Sequence, residues 1–169
     1  MKNKINNPSW NFYLDKVNTY AYWEKAFTKE ECEKIIKIAK DKDLIKGITK
    51  GQSNTRSSQI SWLHSTDNLE WVFRKITDIV LNLNDRFFQF NIFGLNEGLQ
   101  FTNYKAPSDK YGKHIDRALD FTIRKLSLSI QLTDPKEYKG GELYLYEDEK
   151  GTEMKKEQGT LILFPSYIL

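Results

Sequence analysis

The chain has 169 residues, with 39% hydrophobic and 29% charged residues, which fits one globular domain able to bury a sizeable core. Its net charge of +3, from 26 basic and 23 acidic residues, is too small a bias to point to nucleic acid. Cys32 is the only cysteine, which excludes an internal disulfide and a cysteine-rich zinc site.

Residues 1–11 are polar and lack the apolar run of a secretory signal. No stretch of the chain approaches the length of a membrane-spanning helix. The simplest expectation is a soluble protein of a reducing cytoplasm, with no membrane partner. The first strong local signal is Phe27-Thr28-Lys29-Glu30-Glu31, a capping box in which Thr28 and Glu31 each satisfy the other's backbone N–H. Phe27 and Cys32 stand where a hydrophobic staple would place them. Cys32, Ile35, Ile36 and Ala39 follow at helical spacing, so Cys32 is expected in the core rather than as a nucleophile.

Residues 47–58 are polar and predict a loop. A second helix is expected to begin near Asp67, with Glu70 in the capping-box position and a buried stripe of Val72, Ile76, Ile79, Val80 and Leu83. From about residue 86 the period becomes alternating. Phe88, Phe90 and Ile92 predict one strand, and Leu126, Leu128, Ile130 and Leu132 another. Gly140-Gly141 turns the chain into a strand over 142–146, and Gly159 precedes one ending at Phe164. Helices first and short strands afterwards predict an α+β domain. High aromatic content, 14%, suits β-rich packing or an aromatic-lined cleft.

The sharpest chemical signal is residues 104–116, YKAPSDKYGKHID. His114 and Asp116 stand two apart, and on an extended chain such residues project to one face, where an imidazole and a carboxylate can meet one cation. They would make two-thirds of the facial triad of non-haem iron(II) oxygenases. On its own the pair also fits a solvated strand end with an incidental ion pair.

Residues 104–116, followed by RKLSLSIQLTDPKEYKGGELYLY (124–146) and QGTLILFPS (158–166), resemble the catalytic half of the iron(II)- and 2-oxoglutarate-dependent dioxygenases of the prolyl-4-hydroxylase-like kind. The resemblance covers residues 24–169, most firmly from Leu99, and leaves 1–23 as an N-terminal extension. It implies a double-stranded β-helix, or jelly-roll, braced by N-terminal helices. It places His114 and Asp116 at the first two iron-ligand positions and Tyr104 where a hydroxyl bonds 2-oxoglutarate. An ordinary packed aromatic is the other account of Tyr104. Tyr111 lines the cleft or simply packs, and residues 56–62 either border the substrate cleft or form a plain surface loop. The implied reaction is hydroxylation of an unactivated C–H bond, with release of succinate and carbon dioxide. Its leading substrate is peptidyl proline in a protein or peptide, with a small molecule or another side chain as alternatives. Fe(II) and 2-oxoglutarate are implied, and L-ascorbate is common among such relatives.

The chain departs from the family at one point. The third iron ligand is a histidine shortly after the FPS-type segment, and the basic partner of 2-oxoglutarate lies farther on. Here Ser166 is followed only by Tyr167, Ile168 and Leu169. His64, the other histidine, lies upstream and is expected to be a surface residue. The expectation is a domain incomplete at its C-terminus, with the last core strands missing and a marginal fold. A complete protein that has lost catalysis and kept a jelly-roll binding module is the alternative. A Lys-rich helix bearing Lys34, Lys37 and Lys40 would suit weak nucleic-acid binding, but its interleaved acids favour a solvated face.

Overall fold

The computed structural model describes residues 3–7, 10–14, 18–47, 56–95, 97–116 and 123–168. In chain order come β1 (Asn3–Asn7), β2 (Trp10–Leu14), β3 (Ala21–Trp23), α1 (Lys29–Lys40), β4 (Ile45–Lys46), β5 (Arg56–Ser57), β6 (Gln59–Leu63) and α2 (Glu70–Leu83). Then follow a π-helical turn (Asn84–Phe88), β7 (Leu99–Asn103), β8 (Lys110–Tyr111), β9 (Leu126–Ile130), β10 (Tyr144–Leu145), β11 (Thr152–Glu153) and β12 (Leu161–Pro165). The architecture is α+β, and every described strand pair is antiparallel.

The N-terminus of α1 forms as its sequence dictates. Thr28 Oγ1 accepts from the Glu31 N–H at 3.3 Å, and the Glu31 carboxylate accepts from the Thr28 N–H at 2.8 Å. Such a cap stabilises a helix by about 1 kcal/mol. Phe27 and Cys32 are both buried in the main core, where Ile35 and Ala39 join them.

Helix α2 starts later than its sequence suggests, at Glu70, with Leu69 at the cap and no side-chain cap bond. Asn68 adopts a left-handed φ of 58°, which no helix can run through. Asp67 instead closes the preceding turn. Its carboxylate accepts from the His64 N–H at 2.6 Å and pairs with Lys42 at 2.7 Å. Val72, Ile76, Ile79 and Leu83 form the buried stripe, with Val80 only partly buried.

The strand expected over Phe88, Phe90 and Ile92 does not form. The helix widens instead into the π-turn, and Gln89 ends it at φ 55° with its N–H on Asn84 O at 2.6 Å. Asn84 then clasps the departing chain, its side chain accepting from the Phe90 N–H at 3.0 Å and donating to Phe90 O at 2.8 Å. One side-chain amide thus outcompetes a weak alternation for the backbone groups.

Two three-stranded sheets carry the rest, in orders β3-β12-β9 and β4-β6-β7. Strand β12 is central and buried on both faces, which suits its unbroken apolar run. Leu161 and Leu163 enter the main core with the two helices, while Ile162 and Phe164 pack with Leu145 and Met154 on the other side. Strand β9 spans Leu126–Ile130, one turn of alternation shorter than its pattern, and Ser127 is its most buried residue because it faces the interior beside Asp116. The segment 142–146 pairs only over β10, opposite β11. β3 lies ahead of residue 24 and yet pairs with β12, Tyr22 opposite Ile162. Residues 48–55 of the expected loop and Leu169 lie outside the described residues.

Candidate active site

The segment expected to be a surface loop, 56–62, is instead two strands. β5 pairs with β8 so that Arg56 stands opposite Tyr111 and Ser57 opposite Lys110, and β6 pairs along the full length of β7. Three elements therefore converge on the His-x-Asp segment, which follows β8 directly.

Asp109 holds this corner together. Its carboxylate accepts from the Ser57 hydroxyl at 2.6 Å and from the Lys105 N–H at 2.8 Å, tying β5 to the turn between β7 and β8. The Ser57 bond is the main reason its carboxyl sits below the usual range.

His114 and Asp116 meet as their spacing predicts, Nε2 to Oδ1 at 3.1 Å. The other ring nitrogen, Nδ1, lies 2.8 Å from Gly112 O. A carbonyl only accepts, so Nδ1 carries a proton and donates it. That bond fixes the tautomer and aims the Nε2 lone pair toward the carboxylate. Two lone pairs cannot face each other at 3.1 Å without a cation between them. The Asp116 hydrogen bond raises the His114 pKa, against burial and the nearby Arg56 charge. Asp116 is pushed up by burial, but the His114 bond, the nearby Ser127 hydroxyl and the charges of His114 and Arg124 outweigh this and hold it low. Ser127 Oγ makes no hydrogen bond of regular geometry. We therefore read its effect on Asp116 as proximity rather than a formed bond. The two side chains remain 31% and 27% exposed, so the open side of the pair is accessible.

These donors, a neutral imidazole nitrogen and a carboxylate, suit a divalent iron ion. Among the described residues no third His, Cys, Asp or Glu joins them. His64 lies elsewhere, in an open cleft with Ser65, Thr66, Phe73, Leu95, Glu97 and Gly98. A second open cleft, lined by Lys46, Ser57, Gln59 and Lys105 among others, also excludes the pair.

An aromatic side chain packs directly on His114. Tyr111 stacks on its ring, centroids 3.7 Å apart and planes 13° from parallel. The Arg56 guanidinium lies 4.7 Å from the Tyr111 centroid, on a cross-strand partner. Arg56 is held by Ser58 Oγ at 2.8 Å, Gln100 Oε1 at 2.5 Å and Thr102 Oγ1 at 3.4 Å. Lys113 Nζ sits 3.6 Å from the Tyr146 centroid, bringing the segment after β10 against the His-x-Asp strand. Tyr104, immediately after β7, is 47% exposed, yet burial against the protein still pushes its phenol above the ordinary value, with Arg56 opposing. It is therefore a neutral donor at any physiological pH.

Asp116 is braced from the C-terminal side. Arg124 donates to Asp116 O at 3.5 Å and forms an ion pair with Glu97. The Ser166 hydroxyl, fully buried, donates to Arg124 O, and the Ser166 N–H donates to Lys125 O at 3.0 Å. Asp109, Arg124 and Ser127 carry no sequence signal of their own, and Arg56 is marked only as part of the 56–62 segment. Only Gly112, two residues before a metal-type histidine, could have been singled out from spacing.

Residues 99–169 match the model of the 2OG-Fe(II) oxygenase superfamily. A PKHD-type hydroxylase of Aliarcobacter butzleri (strain RM4018) is 32% identical over 127 residues, 70% of this chain and 55% of that protein. A PKHD-type hydroxylase of Prochlorococcus marinus (strain MIT 9312) is 40% identical over 74 residues, 43% of this chain and 33% of that one. The chain thus spans from about a third to about half of the length of these relatives. Among solved structures, a Pseudomonas putida prolyl-4-hydroxylase superposes with a TM-score of 0.68 at 16% identity, over 89% of this chain and 85% of that chain. A Trichoplax adhaerens prolyl hydroxylase, in complex with a hypoxia inducible factor oxygen degradation domain peptide fragment, gives 0.71 at 15% identity, over 88% and 73%. The matched segment starts at β7 and contains the His-x-Asp pair, and the fold agreement extends to the helices before it: residues 99–169 are similar to the 2OG-Fe(II) oxygenase superfamily, and the chain has a prolyl 4-hydroxylase-like fold.

Proposed function

We propose that this chain carries an iron(II)- and 2-oxoglutarate-dependent dioxygenase domain that hydroxylates an unactivated C–H bond, with peptidyl proline as its substrate. The observation that carries the reading is the Nδ1–H bond from His114 to Gly112 O, which leaves Nε2 and the Asp116 carboxylate converging as acceptors. The antiparallel sheets are read as parts of a double-stranded β-helix, and residues 24–169 as its portion in this chain. The third protein ligand would come from a residue outside the described set.

When bound, Fe(II) with 2-oxoglutarate supplies oxidative decarboxylation, releasing succinate and carbon dioxide and delivering one oxygen atom to substrate. The protein's share is ligation and orientation. His114 offers a fixed tautomer, and Asp116 offers a carboxylate kept ionised by its neighbours. Tyr104 offers a neutral hydroxyl able to donate to a co-substrate carboxylate. Tyr111 covers one face of the imidazole and keeps water from it. Ascorbate would serve as accessory reductant. A peptide complex in a structural relative supports a peptide substrate.

The test is anaerobic Fe(II) titration of the protein, with and without 2-oxoglutarate. A saturable charge-transfer absorption, lost in His114→Ala and accompanied by succinate formation in air, is expected. Its absence would refute the oxygenase reading and leave a jelly-roll binding module.

A further inference from the structure

The Tyr111 ring meets two cation-capable groups, the His114 imidazole stacked on it at 3.7 Å and the Arg56 guanidinium over it at 4.7 Å. Each contact weakens when the tyrosine ring tilts, so the three groups favour one arrangement. The His114 ring is tethered at Cβ–Cγ, with Nδ1–H on Gly112 O and Nε2 facing Asp116 Oδ1, both contacts at its edge. A face-to-face contact adds direct resistance to tilting of the ring plane.

We propose that Arg56 is a positioning residue which, through Tyr111, fixes the plane of the His114 imidazole. The inference rests on the reading of His114 as an iron ligand, because only a ligand needs its lone pair held in one plane.

Three features of Arg56 support this role. It is the direct cross-strand partner of Tyr111 on β5 and β8, so the two side chains rise from the same face. Its fork is spread over Ser58, Gln100 and Thr102, which lie on or beside β6 and β7. Those partners fix the plane of the guanidinium itself, something a lysine in the same place could not do. All three are neutral oxygens, so the guanidinium keeps its full charge for the Tyr111 face. The sequence separation of 55 residues between Arg56 and Tyr111 gives no local pattern that would reveal the arrangement.

The chain has only two histidines, so the ring protons of His114 are assigned by proton NMR against those of His64. In the unaltered protein the His114 ring protons are expected upfield of those of His64, shifted by the Tyr111 ring current. Tyr111→Leu removes the shift and Tyr111→Phe retains it. Arg56→Ala is expected to reduce and broaden it, and Arg56→Lys to restore it only in part, with the His64 signals unmoved as the sign of an intact fold. Co(II) affinity of the protein should then fall about tenfold or more in Arg56→Ala, the usual effect of losing an outer partner of a ligand. An Arg56→Ala protein with the His114 shift and Co(II) affinity both unchanged overturns the proposal. So does a lost shift with unchanged affinity, since the ring plane would then not matter. The ring-proton readout needs no metal. If the protein does not bind Co(II), the oxygenase reading fails, and the control of the ring plane by Arg56 stands or falls on the shifts alone.

Discussion

Gly159 is the tightest backbone approach in the fold, and replacing it tests the packing that carries β12. Its φ is 81°, and a Cβ built there would lie 1.9 Å from Phe27 O, a backbone atom that cannot swing away. Real Cβ contacts essentially never fall below 3.0 Å, so the turn at Gly159 and the segment entering α1 would have to part by about an ångström. That would break the hydrogen bond from the Phe27 N–H to Gly159 O, now 3.1 Å, in a region where Phe27 is 1% exposed. Gly140 is the control, because its φ is 79° but nothing lies within 4 Å of the added atom. Both alanines carry left-handed strain of about 1–2 kcal/mol, partly offset by a stiffer unfolded chain. Gly159→Ala adds overpacking of about 1–3 kcal/mol and a lost buried hydrogen bond of about 1 kcal/mol or more. The expected excess over Gly140→Ala is about 2–4 kcal/mol. At a urea slope of about 2 kcal/mol/M this lowers the unfolding midpoint by a further 1–2 M or so. Equal midpoints for the two variants would refute the argument.

Cys32 is fully buried and burial pushes its thiol up to about 11. It should therefore resist a thiol reagent at pH 8 in the native protein and react at once in denaturant. Because the folded value lies above the unfolded one, this group's contribution to stability is complete below about pH 9 and lost as pH rises toward 11, readable as a falling melting temperature. Glu31 both caps α1 and pairs with Lys75 at 2.7 Å. Glu31→Ala should lose about 1 kcal/mol by urea unfolding, and Glu31→Gln less, since glutamine keeps the cap. Burial opposes ionisation of Glu31, but the Lys75 bond and the Thr28 N–H outweigh it and lower its pKa. The charged pair is therefore stabilising above about pH 4.5 and weakens as pH falls through the lower, folded value. Asp109→Ala should speed amide hydrogen exchange at Ser57 and Tyr111 while leaving α1 and α2 unchanged, and uniform exchange rates would show that β5 does not depend on it.

The residues that sequence alone revealed are those whose partners are near in the chain. The capping box of α1 is a four-residue pattern, and His114 and Asp116 are two residues apart, so both form as read. Leu161 to Phe164 is an unbroken apolar run, and it becomes the doubly buried central strand. What failed was settled by competition that a pattern does not show. The start of α2 moved because Asn68 took a left-handed φ and Asp67 found Lys42 and the His64 N–H. The strand after residue 86 lost to Asn84, whose amide satisfies both backbone groups of Phe90. Arg56 and Ser57 looked like loop because their strand partner, β8, is only two residues long and lies more than fifty residues away.

The same contrast shows how the FPS-type segment is tied to the His-x-Asp pair. Phe164 and Pro165 lie in β12, whose pairing with β9 sets Pro165 opposite Leu126. Ser166 follows at once, and its two bonds to Arg124 O and Lys125 O lock the start of β9. Arg124 in turn reaches the backbone of Asp116 and ties it to Glu97. A residue fifty positions away thereby sets where the carboxylate stands. The proline donates no hydrogen bond and needs none, because it sits at the last position of the strand. A Ser166→Ala chain keeps the backbone bond to Lys125 and loses only the hydroxyl bond to Arg124. The loss should therefore appear first as mobility around Asp116, and only weakly in global unfolding.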